Sequence, residues 1–149
     1  MWRPARIEED PQIVRMCLEL NREDPGEEPV PADHIRATLA TFRGEPVRGR
    51  AVVLEEEGRL EGYALLASFW SNELGGEVCN VDEIYVAPSV RRRGHAAALL
   101  EAVEAGPPLW PRSPVAVELE VSPSNAGARS LYAGLGFTPI RNQMLRRRR

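Results

Sequence analysis

The chain has 149 residues, a length that suits one domain with a buried core, and its 19 basic residues are outnumbered by 22 acidic ones. No apolar run reaches membrane-spanning length and the first residues lack the apolar stretch of a signal peptide, which favours a cytoplasmic protein without a membrane anchor. Cys17 and Cys79 have no metal-ligand spacing to either histidine, so they are predicted to be reduced thiols, with no disulfide and no metal site.

The arginines are unevenly distributed along the chain. Every basic side chain is arginine, and seven of the nineteen lie in residues 91–93 and 146–149. Outside these clusters twelve basic residues face 22 acidic ones, a balance of −10 that is expected to attract cationic molecules, while the clusters attract anions. The tail at 146–149 has no aromatic neighbours to stack on bases. It is predicted to be a disordered, solvated end, and no nucleic-acid partner is expected.

The N-terminal part predicts a short strand over residues 2–7 and two helices. Asp10 is the expected cap of the first helix, with Pro11 in its first turn, and this helix reaches about residue 20. Residues 21–31 form an acidic loop with three prolines. Asp33 is the expected cap of the second helix, which ends at Phe42 and places Ile35, Leu39 and Phe42 on one face.

The rest of the chain predicts strands that alternate with two further helices. In chain order these are strands 50–54 and 60–70 joined by a Glu57-Gly58 hairpin turn, strand 77–86, helix 96–105, strand 115–121, a helix from Asn125, and a last strand at 138–145. The order predicts one α+β domain over residues 1–149. Its sheet is expected to be mostly antiparallel, with six to seven strands, helices on both faces and a parallel pair near the middle. Phe69 and Trp70, at the end of one strand, are expected to pack in the core.

The segment from the 77–86 strand to the following helix indicates an anion site. Pro88 stops the strand, three arginines and Gly94 make a turn, and a helix follows at once. A helix N-terminus presents unpaired N–H groups and the positive end of the dipole, while a glycine lets the backbone approach an anion closely. The expected ligand carries phosphate.

Two motifs resemble the GNAT superfamily of N-acetyltransferases. Arg91, Gly94 and Ala96 fill the family's pattern for its acyl-coenzyme A loop, in which Arg or Gln is followed by Gly and then by Gly or Ala. A later helix matches at Asn125, Ala128, Leu131, Tyr132, Gly136 and Phe137. Two matches in the right order cover roughly residues 47–145. The resemblance implies a GNAT-like fold and an acetyltransferase that moves the acetyl group of acetyl-CoA to a primary amine.

The resemblance also implies which residues bind the coenzyme. The backbone of Ile84 and Val86 would hold the pantetheine arm, and one N–H would polarise the thioester carbonyl. The residues expected at the cofactor site are Ile84, Tyr85, Val86, Arg91, Arg92, Arg93, Gly94, His95, Ala96, Asn125 and Tyr132. Asn125 also fits a helix N-cap.

For catalysis, the resemblance implies that Tyr132 is the general acid, since a phenol with a pKa of about 10 is protonated at neutral pH. Three carboxylates are candidates for the general base. Asp82 ranks first because it has the strand parity of Ile84 and Val86, and Glu120 ranks second because it matches relatives that acetylate ribosomal proteins. Glu83 ranks third because it points the other way unless a bulge shifts the parity. A water chain to bulk solvent is a further alternative.

The acceptor is expected to bind near the first two helices and the loop between them. Glu23, Asp24, Glu27 and Glu28 in that loop favour a small cationic amine. A peptide or protein amino group is the alternative within the enzyme class, and a sensor domain that binds an acyl-CoA without turnover is the alternative outside it. An exposed sheet edge near the C-terminal strand offers a route to a homodimer, and the sequence leaves monomer and dimer equally open.

Overall fold

The computed structural model describes all residues, 1–149, and shows an α+β fold. Its elements are β1 (Trp2–Pro4), α1 (Asp10–Glu23), α2 (Ala32–Gly44), β2 (Gly49–Glu56), β3 (Arg59–Ser71), β4 (Gly76–Val86), α3 (His95–Ala105), β5 (Ala116–Leu119) and α4 (Ala126–Gly134). Single 3₁₀ turns precede α1 and follow β4. The order of helices and strands follows the sequence prediction up to the end of α4.

The five strands form one sheet in the order β1-β2-β3-β4-β5. The first three pairings are antiparallel, and β4 pairs with β5 in parallel. The predicted hairpin between β2 and β3 is confirmed, since Glu57 and Gly58 both have positive φ, 50° and 74°. Two such residues make the primed turn whose twist matches that of the flanking strands.

Helices cover both faces of the sheet, as predicted, and each face has its own core. On one face α1 and α2 pack Ile13, Ile35 and Leu39 against β2, β3 and β4. On the other face α3 and α4 pack Leu99 and other buried side chains against the same strands. Cys17 belongs to the first core and Cys79 to the second, and both are free thiols. The sheet therefore separates the two cysteines.

The prediction of six to seven strands is wrong, since the sheet has five. Residues 138–145 form no strand. Pro139 cannot donate to a ladder, and Ile140 and Met144 are 66% and 86% exposed, so the segment has no buried apolar face to hold it against β5. Because this strand is missing, the parallel β4–β5 pair lies at the edge of the sheet and not near its middle.

Both predicted helix caps are wrong by one or two residues. Asp10 and Asp33 lie inside α1 and α2, whose N-cap positions are Glu9 and Pro31 without a side-chain cap hydrogen bond. Asp10 instead accepts hydrogen bonds from Arg43 of α2, the nearer at 2.7 Å. Its carboxylate ties the two helices together rather than capping one of them.

The expected burial of Phe69 and Trp70 is also wrong. Their side chains are 59% and 66% exposed, although the strand is formed as predicted. They lie at the end of β3, beyond the part of the sheet that the helices cover, so alternation along the strand does not bring them into a core.

Candidate active site

The turn between β4 and α3 presents a row of free backbone donors. We call residues 91–97 the cofactor turn. The amides of residues 92–97 donate to no backbone carbonyl and no side chain, and the first helical bond runs from Ala98 N–H to the Gly94 carbonyl. Gly94 is the N-cap of α3 with φ of 81°, and Arg92 also has positive φ, 62°. Left-handed bends next to a helix start are the backbone arrangement that suits an anion, as the sequence predicts for this turn.

The three arginines of the cofactor turn differ in their contacts. Arg91 donates from Nε to the Val86 carbonyl, at 2.7 Å, and from Nη2 to Glu23, at 2.6 Å. Arg93 donates to the Ser89 carbonyl at 3.1 Å and lies 3.8 Å from Glu56. Arg92 makes no hydrogen bond or ion pair in the structure, so its guanidinium is the one that is uncommitted.

His95 faces the sheet. Its Nε2 lies 3.1 Å from Oε1 of Glu56 on β2, and its carbonyl accepts a hydrogen bond from the Trp2 indole at 2.8 Å. The Trp2 hydrogen bond ties the first turn of α3 to β1, whereas the buried Nε2 of His95 has no hydrogen-bond partner. The expected place of His95 at the phosphates stays a prediction.

The edge of β4 is open beside this turn. Pairing with β5 ends at Val81–Leu119, so the outer edge of β4 after Val81 has no partner strand. The Ala87 N–H donates inward to the Glu61 carbonyl, and antiparallel alternation therefore turns the polar groups of Ile84 and Val86 toward the open edge. The backbone groups of Ile84 and the Val86 N–H thus face the side of β4 that β5 leaves uncovered, while the Val86 carbonyl accepts from Arg91.

A β-bulge interrupts β4 at the predicted base positions. Val81 pairs with Leu66 and Glu83 with Leu65, so Asp82 is the extra residue. Val81 and Ile84 both contact the core under α3 and α4, which shows that the alternation is reset at this point. Glu83 points to α1, the face opposite Ile84.

The three candidate bases have different surroundings. Glu83 accepts two hydrogen bonds on Oε2, from the Tyr63 hydroxyl at 2.7 Å and from the Cys17 thiol at 3.1 Å. Asp82 is exposed at the surface, but the atoms around it reduce its hydration and raise its pKa, and the charges of Glu83 and Glu120 raise it further. Both carboxylates are therefore within electrostatic reach of Asp82.

The predicted general acid lies on α4 and faces the core. Tyr132 is 9% exposed and packs against Phe137, with ring centroids 5.7 Å apart. Burial raises its pKa, so the phenol is protonated at neutral pH. Its hydroxyl makes no hydrogen bond within the chain, and it is not fully enclosed by protein atoms. The phenol therefore carries its proton and is free to donate it in a hydrogen bond.

Asn125 is confirmed as the N-cap of α4. Its Oδ1 accepts from the Ala128 N–H at 3.1 Å. Its Nδ2 lies 3.5 Å from Oδ2 of Asp24, in the acidic loop. The structure thus connects α4 to the loop that follows α1, a contact that the sequence did not predict.

The sequence missed three partners of the predicted site residues: Cys17 and Tyr63 at Glu83, and Glu19, which accepts from the Tyr85 hydroxyl at 2.7 Å. They lie 20 to 66 residues away along the chain, so no local pattern announces them. No group of three or more His, Cys, Asp or Glu side chains is arranged to hold a metal ion. None of the helices combines the length and the apolar character needed to cross a membrane.

Comparison with known proteins gives the family. The model of the Acetyltransferase (GNAT) family matches residues 14–137. No curated protein matches the chain in sequence. Among solved structures, the chain is similar to a possible acetyltransferase from Clostridium difficile 630, at 18% identity and a TM-score of 0.81, with 99% of this chain and 96% of the other covered.

Two further structures extend the comparison. An integron cassette protein from the mobile metagenome of Cole Harbour Salt Marsh is 29% identical with a TM-score of 0.77, over 99% of this chain and 89% of the other. A ribosomal-protein-alanine N-acetyltransferase from Brucella melitensis biovar Abortus 2308 is 18% identical with a TM-score of 0.73, over 99% of each chain. With a family match over most of its length and this shared fold, the chain belongs to the GNAT family of acetyltransferases.

Proposed function

We propose that the protein transfers the acetyl group of acetyl-CoA to the primary amine of a small cationic molecule. Enzymes of the GNAT family use an acyl-CoA and an acceptor, and the observation that carries the cofactor assignment is the run of unpartnered amides at residues 92–97. Six consecutive N–H groups at a helix N-terminus suit a pyrophosphate. The uncommitted Arg92 adds a positive charge at the same place.

The open edge of β4 supports the same assignment. The Ile84 backbone groups and the Val86 N–H that face it suit the amides of a pantetheine arm, which is extended and carries matching donors and acceptors. When bound, acetyl-CoA supplies the reactive thioester. The chain then needs to orient the amine, remove its proton and protonate the departing sulfur.

Tyr132 and Asp82 suit the two proton transfers. Asp82, whose pKa is raised, takes a proton from the amine, so that the nitrogen lone pair forms the new bond to the acetyl carbon. As the carbon–sulfur bond breaks, the electron pair goes to sulfur and the Tyr132 hydroxyl gives it a proton. Glu120 and Glu83 are the second and third candidates for the base, and a water chain could serve in their place.

The acceptor assignment depends on charge. Glu83 and Glu120 lie close enough to Asp82 to raise its pKa, and the end of α1 with the loop after it adds four carboxylates. Their field favours a protonated amine. A peptide or protein amino group is the second candidate, favoured by Glu120 and by the fold shared with a ribosomal-protein-alanine N-acetyltransferase.

The test combines calorimetric titration with acetyl-CoA and assays of thiol release with a polyamine, an aminoglycoside and a basic peptide. We expect Tyr132→Phe to lower kcat about a hundredfold while the Kd for acetyl-CoA stays nearly constant, because only the proton donor is lost. Leu131→Ala, a change on the exposed side of the same helix, is the control. Failure of the wild-type protein to bind acetyl-CoA or longer acyl-CoA forms would overturn the proposal. Binding without turnover on any amine would favour the sensor alternative.

A further inference from the structure

Arg91, a residue expected to hold phosphate, is engaged within the protein. Its Nε donates to the Val86 carbonyl at 2.7 Å and its Nη2 donates to Oε2 of Glu23 at 2.6 Å. Its guanidinium also lies over the Tyr85 ring, 5.6 Å from the centroid. A guanidinium held by a carbonyl, a carboxylate and an aromatic face is in a fixed position, with two of its five N–H donors committed within the chain.

The carboxylate partner of Arg91 comes from the acceptor side of the molecule. Glu23 is the last residue of α1, and Glu19, one turn earlier, accepts from the Tyr85 hydroxyl at 2.7 Å. The end of α1 is therefore attached to β4 through Tyr85 and to the cofactor turn through Arg91. The next residue, Asp24, lies 3.5 Å from the amide of Asn125 at the start of α4.

We propose that Glu23 is a positioning residue for the coenzyme. Through Arg91 it fastens the cofactor turn to the end of β4, so that the free amides of residues 92–97, the backbone groups of Ile84 and the Val86 N–H keep the relative placement that one extended ligand requires. Arg91 acts as the fastener, and its two committed donors, to Val86 and Glu23, are not offered to the phosphates. This inference rests on the proposed function, since acetyl-CoA is the ligand that spans both parts.

The direction in which the Kd for acetyl-CoA changes separates positioning by Glu23 from simple competition between Glu23 and phosphate for Arg91. If Glu23 only competed with phosphate for Arg91, its neutralisation would strengthen binding of the anionic coenzyme, because a nearby negative charge is lost and a guanidinium is released. If Glu23 fastens the turn, its neutralisation weakens binding despite the favourable change in charge. Plain electrostatics and positioning thus predict opposite results.

The experiment is a double-mutant cycle on the full chain with acetyl-CoA, read by calorimetry. We expect Glu23→Gln to raise Kd several-fold, Arg91→Ala to raise it by a similar factor, and the double variant to be no weaker than Arg91→Ala alone, because both changes break one contact. Glu45→Gln is the matched control. It also removes a carboxylate from an exposed arginine pair at a helix end, with Arg48, but far from the turn. Its Kd should equal that of the wild type.

A second ligand separates positioning from charge. Acetyl-pantetheine lacks the phosphates, so loss of a true phosphate ligand leaves its KM unchanged, whereas a displaced turn and strand end raise KM for both thioesters. Tighter binding by Glu23→Gln, or a full additional loss in the double variant, would overturn the inference. Absence of acetyl-CoA binding by the wild type would instead refute the proposed function. Equal melting temperatures of the wild type, the two single variants and the double variant exclude misfolding as the cause.

Discussion

The cofactor turn and the acidic segment at residues 23–28, which we call the acidic loop, both carry clustered charge, and they are built in opposite ways. The turn offers backbone donors without partners. In the loop, each of the four carboxylates already has a partner within the chain. The pairs are Glu23 with Arg91, Asp24 with Asn125, Glu27 with Arg146 at 4.0 Å and Glu28 with Arg148 at 2.7 Å.

This difference shows that a count of charges does not identify a binding surface. An anion site can be made by one local segment, because a glycine turn and a helix start supply unpaired N–H groups wherever they occur. A charged loop is available to a ligand only to the extent that distant parts of the same chain leave it uncompensated. The turn is preformed, whereas an acceptor at the loop has to displace side chains that the protein provides itself.

Of the changes that test this comparison, the one at Gly94 is expected to have the largest effect on affinity, since the turn depends on this residue. Its φ is 81° and an added Cβ would meet no atom within 4 Å, so Gly94→Ala introduces backbone strain and a methyl group in the open space before the amides. We expect an affinity loss for acetyl-CoA of about tenfold, or about 1.4 kcal/mol. The strain should also lower the free energy of unfolding by about 1 kcal/mol.

Gly58→Ala is the matched control for this strain. Gly58 also has positive φ, 74°, with open space around it, but it lies in the β2–β3 hairpin. Gly58→Ala should lower the free energy of unfolding by the same amount, as measured by thermal unfolding, and should leave the affinity for acetyl-CoA unchanged. Equal binding losses in both variants would mean that general destabilisation explains the effect, and the turn would lose its special role.

An intermediate effect is expected at Asp82, between the two regions. Its pKa is raised in the folded protein, first by loss of hydration and then by Glu83 and Glu120. As pH rises above the ordinary Asp value of about 3.9, the unfolded chain releases this proton before the folded one does. The stability cost therefore grows as pH rises through the folded pKa and persists above it.

Asp82→Asn should consequently have a higher melting temperature than the wild type at pH 8, and the difference should vanish near pH 3. Differential scanning calorimetry across this range measures both. Glu101→Gln, which removes an exposed carboxylate of α3, controls for the loss of one charge. A lower melting temperature of Asp82→Asn at pH 8 would show instead that the carboxylate makes a favourable contact in the folded state.

The sequence predicts those features that depend on interactions over a short distance along the chain. The hairpin at Glu57-Gly58, the β4–α3 turn and the Asn125 cap depend on neighbours within a few residues, and all three are confirmed. The last strand was wrong because alternation at residues 138–145 does not say whether a partner surface exists. Sheet membership is decided by burial against other elements, which a local pattern does not contain.

The candidate site shows the same division. The positions of Gly94 and Tyr132 follow from motifs, whereas the contact of Arg91 with Glu23 joins residues 68 apart and the contact of Cys17 with Glu83 joins residues 66 apart. Such pairs arise because α1 packs across β4, and only the tertiary fold brings them together. The same packing raises the pKa of the Cys17 thiol to about 12, mainly by burial, so the side chain is a hydrogen-bond donor and not a nucleophile.

The smallest effect is expected at the C-terminal arginines, which test the acidic loop directly. Arg146 and Arg148 reach Glu27 and Glu28, whereas Arg147 and Arg149 make no ion pair in the structure. The pairs are exposed, and each is worth well under about 1 kcal/mol. If a cationic acceptor uses these carboxylates, Arg146→Ala with Arg148→Ala should lower its KM about twofold, because a competitor is removed.

The alternate pair provides the control with the same change in charge. Arg147→Ala with Arg149→Ala should leave KM nearly constant, and the difference between the two double variants should disappear at 0.5 M salt, where exposed charges are screened. Equal decreases of KM in both double variants would mean that net charge attracts the acceptor and that the ion pairs with Glu27 and Glu28 are irrelevant. No decrease of KM in either double variant would mean that Glu27 and Glu28 do not bind the acceptor. The acceptor site would then be sought at Asp82 and its neighbours Glu83 and Glu120.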